Sequence, residues 1–396
     1  MNNNKYLLSI FLLSFLIRIP IVLIYGDDLL SNEWEKLVRN LRNHNTLAIL
    51  NFNEFYLPNL WMPPLYAYFL YSISLFFETL NHTYINYVLF TQSILASVTV
   101  IIFYKIINNF YSSKISFFGS VIFVSLPLNL YASSQISSIS LTMFLSAFFY
   151  FFLIKLVKTN KKKYLILLAI TAGLLILIRR EFILIFSLSI FFIFFFYKIK
   201  LIKILTIIAI TVITVSPYLI RNYIIFDKII IQAGFGYNVW KANNPLATVE
   251  GSGVMSKNLI LKINKVEKNV YFRINRDKIY LNQAISYIKE DPNKYLKLYF
   301  LKIFSYFFVD FNSSDPNYYS FLHVVPNMLL GILTLFGFYY YDKKSILLNY
   351  FLLIFMFYLF LFSFFAILPR YKLYLLPFQI IFSLSFIKNI KTNWYK

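Results

Sequence analysis

KKKYLILLAITAGLLILIRREFILIFSLSIFFIFFFYKIK, residues 161–200, decides the fold. Two apolar runs, 163–180 and 182–198, meet at Arg179-Arg180-Glu181 and carry lysines at their far ends. Each is near the ~20 apolar residues that cross about 30 Å of hydrocarbon as a helix. In lipid a segment must satisfy its own backbone, so these runs are helices despite their many aromatic and β-branched residues. The flanking lysines mark the cytoplasmic side and leave Arg179-Arg180-Glu181 on the other. The stretch reads as a transmembrane hairpin.

Working outward, comparable runs recur along the chain. The expected spans are 6–25, 84–106, 115–132, 136–156, 163–180, 182–198, 203–220, 324–341, 346–367 and 372–389, about ten, with both termini inside. The first contains Arg18 and Pro20 and lacks a small-residue cleavage site after it, so it reads as a retained span. The basic clusters Lys105/Lys114, Lys155 to Lys163, Lys198 to Lys203, Lys343/Lys344 and Lys388 to Lys396 then all face the cytoplasm. The composition agrees: 59% of the 396 residues are hydrophobic and only 14% charged, against about a quarter in soluble domains. The net charge of +22 is accounted for by topology signals and headgroup contacts, so nucleic acid is not an expected partner. The chain has no Cys, which excludes disulfides and thiolate chemistry.

The expected fold class is thus all-α, a polytopic membrane protein. It comprises an N-terminal module 1–220 with a first outer loop 26–83, an outer helical segment 221–323, and C-terminal helices 324–396. The stretch Pro63 to Leu80 is apolar enough to compete as a span. Crossing would invert every later loop, so it is read as a helix along the outer membrane surface, opened by Pro63-Pro64.

This orientation sorts the chemistry. Of the 16 acids only Asp342 falls inside, and His44, His82 and His323 lie outside or at the outer interface. Acid–base work therefore belongs to the outer face, and no nucleotide-binding glycine pattern is present. The histidines lack metal-ligand spacing. Ser137, Ser138 and Ser140 have no acid or base near them in sequence, so no serine nucleophile is assigned.

Four outer segments could carry chemistry. Asp27-Asp28 follow the first span, with Glu33-Trp34-Glu35 after them. Partial desolvation there raises a carboxylate toward general-base range, although Glu33 and Glu35 equally suit the start of a surface helix to Leu41. Arg179 and Arg180 point in different directions on a helix. One turned to an outer cavity matches phosphate oxygens, while anchoring at the interface is the plainer reading. Pro217 to Tyr223, with Arg221 and Asn222, leads into Gly234 to Pro245, with Trp240, Asn243 and Asn244. That loop suits stacking on a sugar ring and hydrogen bonding to its hydroxyls, or an interfacial Trp and an ordinary turn. Arg370-Tyr371-Lys372 reads as a second basic contact to an anionic headgroup, or as an anchor.

These segments, in this order, resemble the GT-C superfamily of membrane glycosyltransferases. The bacterial branch related to dolichyl-phosphate-mannose protein mannosyltransferases and lipid A aminoarabinose transferases is the most similar. The resemblance rests on Asp27-Asp28, Glu33-Trp34 and Met62-Pro63-Pro64-Leu65-Tyr66; on Ile178-Arg179-Arg180-Glu181; on Pro217 to Tyr223 and Ala242-Asn243-Asn244-Pro245; and on Arg370-Tyr371-Lys372 with Pro377. It implies transfer of a hexose or pentose from a polyprenyl-phosphate carrier to an acceptor hydroxyl on a glycolipid, polysaccharide or protein. The setting it implies is the periplasmic face of a bacterial inner membrane.

On this resemblance Asp28 or Glu33, with Asp27 beside them, is the general base. Arg179, with Arg180 and Arg370, contacts the donor phosphate, and Trp34, Tyr66, Arg221, Asn222, Trp240, Asn243 and Asn244 contact sugar or acceptor. No metal or other cofactor is implied. The chain departs from the family in having Ser137-Ser138-Ile139-Ser140 where many relatives place a second acid. Alternatives are an envelope polysaccharide polymerase, ligase or lipid-carrier flippase, or an inactive lipid-sugar binding relative.

Overall fold

The structure, a computed structural model, describes residues 3–30, 32–52, 55–313 and 320–393. It is an all-α polytopic membrane protein, 75% helical. Every expected span coincides with a helix or helix pair: α1 (Asn3–Tyr25), α4 (His82–Ile107), α5 with α6 (Ser113–Ser125, Pro127–Ser134), α7 (Ile139–Thr159), α8 (Lys162–Ile178), α9 (Phe182–Tyr197), α10 (Leu201–Phe226), α15 (Phe321–Tyr340), α16 (Ile346–Phe362) and α17 (Leu376–Asn393). Five of these, α1, α4, α7, α10 and α15, are long and apolar enough to cross a membrane individually. The basic tail beyond Asn393 lies outside the described residues.

The third expected span is a correction. Residues 115–132 do not form one helix. Pro127 drives the preceding Leu126 to an extended conformation (ψ 119°), and α6 leaves α5 at 57°.

The bundle is built around α4 and α7. In their apolar windows 61% and 67% of residues are buried, against 17% in α1, whose Leu16, Leu23 and Ile24 face outward. An outward apolar belt of that kind is stable only against lipid. α4 packs on α7, α7 on α8 and α8 on α10, while α1 lies on α4 and α17 joins α15 to α5. Gly337 lets α15 press onto α17: a Cβ there would sit 2.1 Å from the Phe382 carbonyl oxygen. The α8–α9 reversal is as short as the opening stretch suggests, with Arg179 ending α8 and Glu181 preceding α9.

The first outer loop folds as α2 (Asn32–His44), a hairpin of β1 (Ala48–Phe52) and β2 (Phe55–Pro58), and α3 (Pro64–Ser74). The hairpin is absent from an all-α reading. α3 begins at Pro64 as expected, but its 11 residues reach only about 16 Å, too short to cross. It packs on α2, α4 and α8.

The second outer segment holds α11 (Phe235–Ala242), α12 (Lys257–Asn264), α13 (Phe272–Glu290) and α14 (Pro292–Phe307). Asp291 caps α14 by accepting from the Lys294 N–H at 3.1 Å, with Pro292 in the first turn. Its Lys302 is fully buried and donates to the Ala242 carbonyl (2.8 Å) and to Asn243 Oδ1 (3.4 Å).

The two outer segments are tied by hydrogen bonds. The Ala233 N–H donates to the Leu60 carbonyl at 2.8 Å, and the Gln232 amide donates to the Trp61 carbonyl.

Candidate functional site at the outer end of the bundle

Asp27 sits where α1 meets the turn between α6 and α7. Its N–H donates to the Ser134 carbonyl (3.0 Å), and its Oδ2 accepts from the Ile136 N–H (2.6 Å). Burial pushes this carboxyl above its ordinary range, the Ile136 N–H partly offsets that, and neighbouring Asp28 adds to the rise. Asp28 itself is exposed. The turn before α7 therefore clasps Asp27 with its backbone.

A polar chain supports that clasp. Tyr66 is fully buried, with Trp34 edge-on to it at 4.7 Å, and its hydroxyl donates to Gln92 Oε1 (2.7 Å). The Gln92 amide donates to the Gln135 carbonyl (2.9 Å), and the Gln135 amide donates to the Tyr25 carbonyl (3.0 Å). Tyr66 and Trp34, expected as sugar contacts, thus help hold the first outer loop on the bundle. Gln92 was missed by the sequence reading; a glutamine in the middle of the apolar run 84–106 was its signal.

Arg179 lies between two rings, with its guanidinium carbon 5.6 Å from the Tyr371 centroid and 5.5 Å from that of Tyr374. It pairs with Glu181 at 3.6 Å, its Nε is buried without a partner, and 21% of its side chain stays exposed. Exposed Arg370 stands 5.6 Å from the same Tyr371 ring, so the structure brings Arg179 and Arg370 together across one tyrosine. Lys372 does not join them; it is buried and donates to the Phe308 carbonyl.

Tyr374 also lies beside Thr142 in the first turn of α7. Asp27 and Arg179 are thereby both set around the N-terminal start of that helix. Below Tyr374 an apolar cavity of 40 Å³ continues into the bundle past Tyr358, Met143 and Tyr150.

The remaining expected contacts are used inside the fold. Arg180 donates to the Gln232 carbonyl at 2.5 Å and faces Phe235. Arg221 donates to the Asn59 carbonyl (3.3 Å) and to Asn222 Oδ1 (2.7 Å), and the Asn222 amide donates to the Ile230 carbonyl (2.6 Å). Asn222 is fully buried. Asn243 donates to the Val239 and Phe364 carbonyls, and Asn244 to those of Trp240 and Ser252, which fixes the end of α11. Trp240, expected to be exposed, is only 1% exposed and packs against Tyr280 and Leu259. Burying its indole yields more stabilisation than presenting it to solvent.

Glu33 takes another direction. It begins α2, as the plainer reading had it, while Glu35 pairs with Arg39 at 2.8 Å. Glu33 lines a second cavity of 360 Å³ between the two outer segments, walled by Trp61, Tyr237 and Tyr280 and by Arg273 and Arg276 of α13. Trp61 and both arginines were missed by the sequence reading; their spacing one turn apart on a helical stretch was the only signal.

Comparisons with known proteins follow this geometry. Residues 62–220 match the family model described as dolichyl-phosphate-mannose-protein mannosyltransferase. No curated protein sequence matches the chain. Among solved structures, the apo oligosaccharyltransferase of Archaeoglobus fulgidus aligns with 98% of this chain and 51% of its own, at TM-score 0.58 and 13% identity. The same organism's AglB in complex with an inhibitory peptide and a dolichol-phosphate aligns with 99% of this chain and 51% of its own, at 0.57 and 12%. ArnT from Cupriavidus metallidurans bound to undecaprenyl phosphate gives 0.43 and 8% over 98% of this chain and 77% of its own. The chain spans about half the length of the oligosaccharyltransferase. The chain thus shares the fold of the archaeal oligosaccharyltransferase, and its residues 62–220 match the model of the dolichyl-phosphate-mannose-protein mannosyltransferases.

Proposed function

We propose that the protein transfers a sugar from a polyprenyl-phosphate carrier to an acceptor hydroxyl on the outer face of a bacterial cytoplasmic membrane. The observation that carries this reading is the placement of Asp27 and Arg179 around the N-terminal start of α7. One is a carboxylate made more basic by burial. The other is a partly exposed guanidinium with an unpartnered nitrogen, sharing Tyr371 with Arg370.

In the reaction, Asp27 or Asp28 takes the acceptor's hydroxyl proton as that oxygen bonds to the anomeric carbon. The bond from that carbon to the phosphate oxygen breaks, and the electron pair leaves with the polyprenyl phosphate. Arg179 and Arg370 stabilise the charge that builds there. The carrier's apolar chain stays in the lipid beside the bundle. AglB, whose fold this chain shares, is seen with a dolichol-phosphate, which agrees with such a donor. Tyr66, Trp34, Arg221 and Asn222 serve as supports. No step of this scheme requires a metal.

Deleting the gene in its host and profiling envelope glycans by mass spectrometry tests the proposal. A glycan lacking one sugar, restored by the wild-type gene and not by an Asp27→Asn, Asp28→Asn double variant, is expected. Accumulation of a complete lipid-linked precursor instead points to a ligase or flippase and refutes it.

A further inference from the structure

The 360 Å³ cavity between the outer segments has features that the transfer reaction leaves unexplained. Arg273 and Arg276 stand one helical turn apart on α13, where side chains meet on one face. Like charges so placed destabilise each other. Burial, and then Arg276, bring Arg273 down to about 10, with Glu33 pulling the other way.

Neither arginine makes an ion pair. Among the described residues, ion pairs join Arg39 to Glu35 and Arg179 to Glu181, and none reaches α13. Asp277, in the same cavity, spends its oxygens on the Gly236 and Tyr237 N–H groups at 3.1 and 2.9 Å, capping α11. Arg276 donates to the Tyr280 hydroxyl at 3.1 Å, and its Nε is buried with no partner. Arg273 lies over the Trp61 ring at 5.2 Å. Glu33 and Asp277 line the same cavity without pairing to either arginine, so two partly desolvated guanidinium forks stay open to an anion, which they would bind through charge-assisted bidentate hydrogen bonds.

The surroundings name the rest of the ligand. Trp61, Tyr237 and Tyr280 line the space, and aromatic walls with a few convergent polar groups suit a sugar ring. The volume falls within the roughly 300–1,000 Å³ of small-molecule sites. We propose that this cavity is an acceptor subsite that grips a carboxylate or phosphate on the acceptor glycan through Arg273 and Arg276, beside the rings of Trp61 and Tyr237. The word acceptor rests on the transfer reaction above; binding of an anionic sugar does not.

Calorimetry on the full chain in zwitterionic nanodiscs separates the two. The probes are tetragalacturonate against its methyl ester, and mannose 6-phosphate against mannose. At least one charged form is expected to bind tenfold or more tightly than its neutral counterpart. That binding is lost in Arg273→Gln, weakened in Arg273→Lys, and retained in Asp27→Asn even where transfer is abolished. Melting temperatures of the variants identify any that lose binding by unfolding, and Arg273→Lys then carries the test. Equal binding of charged and neutral forms, absence of binding by all four probes, or full binding by folded Arg273→Gln overturns the proposal. Displacement of the sugars by farnesyl phosphate would assign the cavity to the donor and overturn it too.

Discussion

Replacing Arg179 by Ala is the sharpest perturbation of the transfer site. Its guanidinium is held by Tyr371 and Tyr374 at 5.6 and 5.5 Å and by Glu181 at 3.6 Å, so its orientation is set before any donor arrives. Preorganised charge of this kind acts on the leaving phosphate without reorganisation in the transition state. A hydrogen bond to a charged group contributes about 1.5–3 kcal/mol. At 1.36 kcal/mol per decade that is roughly a 10- to 150-fold loss in kcat/KM. Arg179→Lys keeps the charge and loses both the fork and the ring stacking, so it should fall between the two. The assay is transfer by purified protein in nanodiscs from the carrier identified by the glycan profile. Melting curves serve as a control for the lost Glu181 and tyrosine contacts. Wild-type kcat/KM in a folded Arg179→Ala protein would refute the assigned role.

Two further outcomes follow from the titrating groups. Asp27 must be ionised to accept a proton, and its carboxyl is raised above the ordinary 3.8, so kcat/KM should fall with falling pH along a limb above that value. Asp28 contributes to the rise, and Asp28→Asn should therefore move the limb down, as a pH–rate profile would show. Lys302 is buried and lowered from 10.5 to about 7. Between those values the unfolded chain holds a proton that the folded chain lacks. Stability should then rise with pH, by up to about 1.4 kcal/mol per unit. Thermal melting at pH 7 and 9 should show that component in the wild type and not in Lys302→Met.

The bundle was legible because lipid leaves a chain few choices: apolar length and flanking lysines located each helix closely. Pro127 was visible too, yet its effect depended on whether α5 would kink or break, and packing of α6 on α1 and α4 decided that. The acid and the two arginines of the site were legible as charges beside apolar runs. Their relations were not. Tyr371 links Arg179 to Arg370 from nearly two hundred residues away, and Ile136 holds Asp27 through a backbone N–H that no side chain announces. Trp240, Asn222, Asn243 and Asn244 are expected as ligand contacts from residue type and from the family resemblance, whereas in the fold all four are buried and bond or pack internally.

The α8–α9 hairpin has a mechanical consequence. At 17 and 16 residues, its helices are only about 25 Å long, whereas 26-residue α10 beside them reaches about 39 Å. Against a hydrocarbon thickness near 30 Å such a hairpin is short, a mismatch met by local thinning of the bilayer or by snorkelling of its flanking residues. On the transfer reaction proposed above, Arg179 at the turn of that hairpin would meet a donor phosphate at a greater depth than a helix of full length would allow. Bilayer thickness would then bear on donor capture under that reaction, with short-chain lipids relieving the mismatch and long-chain lipids deepening it.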